Sequence, residues 1–565
     1  MKTIFINNHS YIANDDDSIL QVAKRNNINI QTLCYLEECQ NMSHCGVCLV
    51  EMADTGELVR ACSTLVEDGM RIKVNTNKVQ NAVRDRISEL LNHHNFNCGT
   101  CIRKGTCEFF DIIIKNNAKK FEYLECSDVE PDTRSKSIVY DKSKCIECGR
   151  CVSTCRDKSG TEAIRFQNLD RSFDDTKCIL CGQCVATCPV GALYEKTHLD
   201  RVKEALKDDK KHVIVAIAPS VRTALGEEFK MGYGTDVTKK IYTALRKLGF
   251  KKIFDINFGA DMTIIEEGTE FIERIKNNGP FPMYTSCCPA WIRLTENYFP
   301  ELLDNLSSAK SPQQMFGAAT KTYYPAIEDL NAEDIFTVTV MPCTAKKFEI
   351  DREEMINRGI KNIDASLTTR ELAKLIKECG MDIYKIEESE VDRAMGEYTG
   401  AGVLFGATGG VMEAALRSIK DLVEGKSFEE VDYEEVRGLE NIKEAIISIG
   451  GKDYNIAVIN GAKNFVEFYN SGLLDKKQYH FIEVMACPGG CVNGGGQPIV
   501  SSHKRQKVNH KKLRADVLYN QDKKLTYRKS HKNEALMRMY RVYMGQPGGE
   551  TAHELLHVKY KTKCD

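Results

Sequence analysis

Seventeen of the 24 cysteines in this chain fall within its first 200 residues, and only seven are spread over the other 365. A short secreted domain would use such a density for disulfides. This chain has 565 residues, and repeated CxxC spacing in a chain of that length points instead to metal or redox clusters in a reducing compartment. Its start, MKTIFINNHSYIANDDD, alternates like a strand and lacks the basic start and long apolar centre of a signal peptide. The cytoplasm is therefore the expected location. The longest apolar runs, such as VIVAIA from Val213, are too short to span a bilayer, so no membrane span is expected. Lys and Arg total 78 against 80 Asp and Glu, a formal net charge of -2. That balance offers no electrostatic reason to expect nucleic acid as a partner.

At roughly 100 to 200 residues per domain, the length calls for a multidomain protein, and the patterning divides it into five units. Residues 1–78 combine strand-like patches (KTIFINN, GVCLVEM, RIKVNT) with one short helix near Ser18 to Asn26. Residues 79–124 are helical in pattern around His93, His94, Cys98, Cys101 and Cys107. Residues 125–205 hold two similar cysteine runs about 33 residues apart. Residues 206–502 alternate apolar strand candidates with amphipathic helix candidates, the pattern of a large α/β domain. Residues 503–565 are basic and helical, and are expected to pack on the α/β domain.

The duplicated runs are CIECGRCVSTC (Cys145, Cys148, Cys151, Cys155) and CILCGQCVATCP (Cys178, Cys181, Cys184, Cys188). This is two-cluster ferredoxin spacing, in which the fourth cysteine of each run ligates the other cubane. Cys188 is thus expected to complete the first cluster and Cys155 the second, each fourth cysteine opening a helix. Arg156 stands where a proline would follow the first run.

Two further sets precede these runs. Cys34, Cys39, Cys45, Cys48 and Cys62 resemble a plant-type 2Fe-2S ferredoxin loop, although Cys39 and Cys45 are separated by five residues rather than four. Five thiols compete there for four places. His94, Cys98, Cys101 and Cys107 form a His/Cys3 set suited to a 4Fe-4S cluster, with the histidine four residues, or one helical turn, before the CxxC. Zinc is the competing occupant, because Cys3His is also a structural zinc set.

In the α/β region, TSCCPAW carries Cys287 and Cys288, MPCTAKK carries Cys343, and MACPGGCVNGGGQP carries Cys487 and Cys491. Each cysteine follows a strand candidate beside Pro or Gly, as expected where strand ends present ligands into one crevice. Three loops giving four thiols suit a cubane. Cys287, directly before a ligand, is left as a candidate acid or base, with an ordinary thiol value near 8.5.

TSCCPAW, MPCTAKKFE and EVMACPGGCVNGGGQP resemble the three signature motifs of the FeFe-hydrogenases, and the similarity extends along essentially the whole chain, most of all to the monomeric clostridial type. The resemblance implies a multidomain fold: a β-grasp 2Fe-2S domain, a small helical His/Cys3 domain, a two-cluster ferredoxin domain, and a large α/β catalytic domain with a helical extension. It implies that Cys34, Cys45, Cys48 and Cys62 hold one 2Fe-2S cluster, leaving Cys39 a packed thiol. Three accessory 4Fe-4S clusters would follow. Cys288, Cys343, Cys487 and Cys491 would hold the cubane of an H-cluster, with Cys491 bridging to a diiron azadithiolate centre carrying carbonyl and cyanide.

The resemblance further implies reversible reduction of protons to dihydrogen. A proton path would run from Cys287 through Glu267, Ser307 and Glu270, with Arg274 near the exit. In EEGTEFIERI, Glu267, Glu270 and Arg274 share one helical face, but Glu266 and Glu273 form an equally regular stripe. Lys346 and Ser220 would partner the cyanide ligands, the former by a charge-assisted hydrogen bond. Pro219, Pro312, Met341, Met485 and Phe405 would shape the pocket. The accessory clusters would form a wire with a ferredoxin or flavodoxin as electron partner, since no Gly-rich nucleotide fingerprint follows a strand. Dedicated maturation enzymes would install the diiron centre. Three rival readings remain: the catalytic subunit of an electron-bifurcating complex, an electron-relay subunit similar to the cluster arm of NADH:quinone oxidoreductase, and a related assembly or sensory protein.

Overall fold

The alternation in KTIFINN becomes the strand Lys2–Ile6, second in a five-stranded sheet and paired on both sides. Lys2–Ile6 pairs antiparallel with His9–Ala13 and parallel with Arg71–Lys73, and Leu49–Met52 and Leu58–Arg60 complete the order. The helix Ile19–Arg25 starts where Ser18 and Gln21 cap each other reciprocally, and it buries Ile19, Leu20, Val22 and Ala23 against the sheet. The coordinates are a computed structural model describing residues 1–120, 129–169, 171–429 and 431–562. The expected boundary at 124/125 lies outside the described residues.

The helices Asn77–Asn92 and Glu108–Lys115 carry the expected His/Cys3 segment between them. In the duplicated unit, the hairpin of Ile138–Tyr140 with Leu193–Glu195 closes around two short helices, Arg150–Thr154 and Gln183–Thr187. The sequence places both fourth cysteines at the start of a helix, and only one is found there: Cys155 begins the single π-helical turn Cys155–Ser159, whereas Cys188 sits in extended backbone. Cys155 and Cys188 directly follow the last residues of the two short helices. A one-and-a-half-turn helix has just enough length to carry the third cysteine inward and then release the fourth toward the other site.

The α/β region builds two sheets of four strands. The first, Ala365–Thr368, Ile335–Met341, His212–Ile217 and Lys252–Asp255, is entirely parallel. The second places Met283–Tyr284 beside Phe481–Met485, Lys452–Asn460 and Ile442–Ile449, with only the last pair antiparallel. Parallel strands need crossovers and covered faces, which explains the near-complete burial of VIVAI and of Phe481–Met485. Helix Ile256–Lys276 runs between them, buried along 14 of its 21 residues. Its N-cap, Asp255, accepts the Asn257 amide and is held by Arg222 at 2.6 Å and Tyr242 at 2.7 Å.

The C-terminal extension docks through charge. Arg514 meets Glu227 at 2.6 Å, and Asp522 accepts from Arg417 at 2.8 and 2.9 Å. These pairs are buried and multiply bonded, the condition under which a desolvated charge is tolerated. Among the described residues no helix is long and apolar enough to cross a membrane.

Candidate active site and electron path

Four strand ends converge on one cavity. Ile217 leads to Pro219 and Ser220, Tyr284 to Cys287 and Cys288, Met341 to Cys343, and Met485 to Cys487 and Cys491. All of these except Ile217 and Tyr284 line a space of about 730 Å3, its opening included, together with Pro312, Lys346 and Phe405. Ser220 and Cys491, 271 positions apart, thus line the same cavity. Burial pushes the Cys343 thiol up to about 12 and Cys487 and Cys491 upward as well, each further raised by its neighbouring thiols. Thiols that penalise one another in this way are relieved by binding iron.

The donor set fits an iron-sulfur group. The metal-ligating side chains of the lining are thiols, in walls that are apolar apart from Ser220 and Lys346, whereas hard cations require several oxygen ligands. Among the described residues no cluster of three His, Cys, Asp or Glu side chains could hold a single metal ion. The thiols border a cavity instead, which suits a multi-iron body. Lys346 is the cavity's buried cation: its Nζ donates to the Cys287 carbonyl at 3.2 Å and to both Glu349 oxygens at 3.0 Å. Ser220 Oγ has one long contact, 3.5 Å to the Gly406 carbonyl, so its hydroxyl is available to the cavity.

Behind Cys287 stands Glu267, fully buried, with neither carboxyl oxygen hydrogen-bonded. Burial, reinforced by Glu270, pushes its carboxyl up to about 8 against a smaller pull from the Ser286 backbone and the Ser307 hydroxyl. Burial, then the Glu267 charge, raises the Cys287 thiol well above its ordinary value. Ser307 Oγ donates to Glu270 Oε2 at 2.9 Å, and Arg274 grips Glu270 Oε1 at 2.6 and 3.1 Å. Arg274 also donates to the carbonyls of Leu306 and Asn305, fixing the half-buried end of the row. Ser307, Glu270 and Arg274 are therefore joined in one hydrogen-bonded row, with Glu267 close enough to Ser307 and Glu270 to feel both.

The accessory sets are equally local. Burial outweighs every other influence on Cys148, Cys151 and Cys145, and each also senses Cys188. Cys178, Cys181 and Cys184 each sense Cys155. In the N-terminal unit the thiols of Cys34 and Cys48 donate to Cys45 and Cys62, holding those two down. Cys39 faces Lys158 and Asp157 instead.

His94 is buried, and its Nδ1 lies 2.8 Å from the Lys144 carbonyl. A carbonyl only accepts, so Nδ1 carries the proton and Nε2 keeps its lone pair for a metal. The histidine is not one helical turn before Cys98, however, because the helix ends at Asn92 and residues 94–97 are irregular. The Arg103 guanidinium is buried without a single hydrogen bond, beside Cys188, Glu108 and Cys107. Negative clusters on either side would balance it. Its isolated position in RKGT gave no signal in the sequence.

Contacts order the sets. Cys107 Sγ lies 3.6 Å from the Pro189 carbonyl, and the Cys101 thiol would be 2.8 Å from a Cβ on Gly191, so the His/Cys3 set abuts the Cys188 end of the second run. Arg86 Nε donates to the Cys45 carbonyl at 3.0 Å, tying the N-terminal set to the adjoining helix. Cys181 senses Cys343, and Thr344 Oγ1 donates to the Leu180 carbonyl at 2.7 Å. The second run therefore touches the large cavity directly.

The chain matches the family model for the C-terminal domain of the iron-only hydrogenase large subunit over residues 211–495. Further matches are the iron hydrogenase small subunit over 508–563, an iron-sulfur centre-binding domain of iron hydrogenase 1-like proteins over 78–118, a 2Fe-2S binding domain over 1–77, and a 4Fe-4S dicluster domain over 138–194. It is 57% identical to iron hydrogenase 1 of Clostridium pasteurianum, covering 99% of this chain and 100% of that one. It is 41% identical to the NADP-reducing hydrogenase subunit HndD of Solidesulfovibrio fructosivorans, over 99% of both. An apo FeFe-hydrogenase structure from Chlamydomonas reinhardtii superposes with a TM-score of 0.58 and 36% identity, covering 65% of this chain and 99% of that one.

Proposed function

This chain belongs to the FeFe-hydrogenase family, an oxidoreductase acting on dihydrogen with an H-cluster domain and accessory iron-sulfur domains, and on that premise we propose that it reduces protons reversibly with electrons from reduced ferredoxin. The observation that carries this reading is the cavity itself: Cys288, Cys343, Cys487 and Cys491 border it, with Lys346 and the Cys287 thiol on the same wall.

The proposed cofactors are one 2Fe-2S cluster, three accessory 4Fe-4S clusters and the H-cluster, a cubane that Cys288, Cys343, Cys487 and Cys491 would hold together with a diiron azadithiolate centre. When bound, that centre supplies the two-electron chemistry by which dihydrogen is made or split. Lys346 would orient one of its anionic ligands by a charge-assisted hydrogen bond, and Ser220 would donate to another. Pro219, Pro312, Met341, Met485 and Phe405 keep the pocket dry, which strengthens each of these contacts. Cys287 and Glu267 hold their protons near neutrality because both are buried, so each can deliver one and be reloaded from Ser307 and Glu270.

Electrons would enter at the N-terminal or His/Cys3 set and pass through the paired cubanes. Ferredoxin or flavodoxin is the proposed partner, with separate maturation enzymes for the diiron centre and the cytoplasm as the location. The 41% identity to an NADP-reducing hydrogenase subunit supports a second reading, in which the chain is the catalytic subunit of a larger bifurcating complex. Co-purification of a flavin-containing subunit would favour that reading. The relay-arm reading has no hydrogen chemistry and does not accommodate a catalytic-domain match over 211–495.

Cys287→Ser tests the proposal. It should retain all iron and lose about 100- to 10,000-fold of turnover in both directions. Full activity in that variant would remove Cys287 from the proton path.

A further inference from the structure

Glu266 belongs to the helix stripe that the proton path leaves unused, yet it is fully buried. Its Oε2 accepts the Gly548 amide at 2.9 Å and faces His557 Nε2 at 2.9 Å, and the Tyr540 hydroxyl meets Oε1. An amide N–H can only donate, so Oε2 accepts from Gly548, and the His557 contact is assigned as Nε2–H donating to the same acceptor oxygen. The other ring nitrogen, Nδ1, lies 2.8 Å from Ser308 Oγ. Ser308 Oγ in turn lies 3.1 Å from Glu270 Oε2. Two groups thus compete for the single hydroxyl proton of Ser308.

We propose that His557 is a positioning residue for proton transfer through Glu270, acting by setting the direction of the Ser308 hydroxyl. The inference rests on the proton path proposed above. In the neutral ring Nδ1 is an acceptor, and the Ser308 hydroxyl turns to it. Glu270 Oε2 then keeps two donors, Ser307 Oγ and the Ser308 amide, both at 2.9 Å. When His557 takes a proton from solvent at Nδ1, that nitrogen becomes a donor to Ser308 Oγ, and the hydroxyl turns to Glu270. A third donor stabilises negative charge on that oxygen.

The geometry is pinned by backbone. Val558 N donates to the Ser308 carbonyl at 2.8 Å, and Lys310 N donates to the Leu556 carbonyl at 2.9 Å. The ionisable groups around the ring are Glu266 and Glu270 from the long helix, Tyr540 through Glu266, Lys310 through the Leu555 carbonyl, and exposed His553, whose ring stacks on His557 at 4.2 Å. Arg274 occupies only the far oxygen of Glu270.

The test compares pH–rate profiles of dihydrogen evolution by the mature holoenzyme and its His557→Gln, Ser308→Ala and Glu270→Gln variants, each with its diiron infrared bands recorded. Glutamine keeps a donor for Glu266 but cannot be protonated. His557→Gln and Ser308→Ala should match wild type on the alkaline side and depart from it by about threefold or more on the acid side, with unchanged infrared bands. The double variant should add nothing further. If Glu270→Gln cuts turnover at least about tenfold while the other profiles superimpose on wild type, the His557 inference alone fails. If Glu270→Gln turns over normally, the proton path fails and the inference with it.

Discussion

Gly182 and Gly495 meet backbone to backbone: a Cβ on Gly495 would stand 2.5 Å from Gly182 Cα and 2.4 Å from the Cys181 carbonyl. Gly182 follows a proposed cluster ligand in the second cysteine run, and Gly495 lies four residues after Cys491 in the large cavity's last loop. The contact brings an accessory site against the catalytic one. Gly182 is also at φ +72°, where only glycine is unstrained.

Gly495→Ala should therefore separate these two loops. We expect a destabilisation of about 1–3 kcal/mol from the forced backbone shift, and a fall in turnover with reduced ferredoxin while the diiron infrared bands persist. Calorimetry and ferredoxin-driven assays check this. Unchanged values on both would show that the contact is dispensable.

Glu267 should remain protonated at neutral pH. Its carboxyl is raised to about 8 chiefly by burial, so a protonated-carboxyl infrared band should persist at pH 7, fade as pH rises through about 8, and be missing in Glu267→Gln. Because the folded value lies above the unfolded one, this residue favours the folded state at low pH. That contribution declines as pH rises from the ordinary carboxylate range toward 8. A band lost by pH 5 would contradict the assignment.

The cysteine spacing was readable because a cluster's ligands must lie close together, and short chain segments enforce that locally. The signature loops were equally readable as thiols after apolar runs. Other features depend on distant contacts. A run such as FIEVM does not show which sheet it joins, so one α/β domain on paper becomes two four-stranded sheets. The four-residue step from His94 to Cys98 looks helical, but the chain leaves the helix at Asn92, and the His94 ring is held instead by the distant Lys144 carbonyl. Glu266 and Glu267 are adjacent, and only Tyr540, Gly548 and His557, roughly half the chain away, tell them apart.

His94→Ala should alter or lose one accessory cluster and spare the diiron site. Electron spin resonance of the reduced protein reads this as a changed or missing signal, with infrared bands retained. An identical spectrum would refute ligation by Nε2.

Glu108 ties three units together: it accepts from Arg150 at 3.0 Å through each oxygen and from Ser502 Oγ at 2.7 Å. Burial alone would raise its carboxyl, but the Arg150 charge and the hydrogen bonds from Arg150 and Ser502 outweigh it and hold it at about 2. Its folded value is depressed, so its contribution is present above the ordinary value of about 4.3 and lost as pH falls toward 2. Glu108→Gln should cost about 3–5 kcal/mol at pH 7, because it leaves Arg150 buried and uncompensated. Denaturant unfolding should show the gap narrowing as pH drops from 5 to 3, and a pH-independent gap would contradict the ion pair's role.

Infrared spectroscopy of protein produced with the maturation enzymes tests the central claim most directly. Sulfur from Cys288, Cys343, Cys487 and Cys491 anchoring a diiron-bearing cluster predicts sharp bands of metal-bound carbonyl and cyanide, lost in Cys491→Ala. Iron-replete protein without those bands, or with bands untouched by Cys491→Ala, would contradict it.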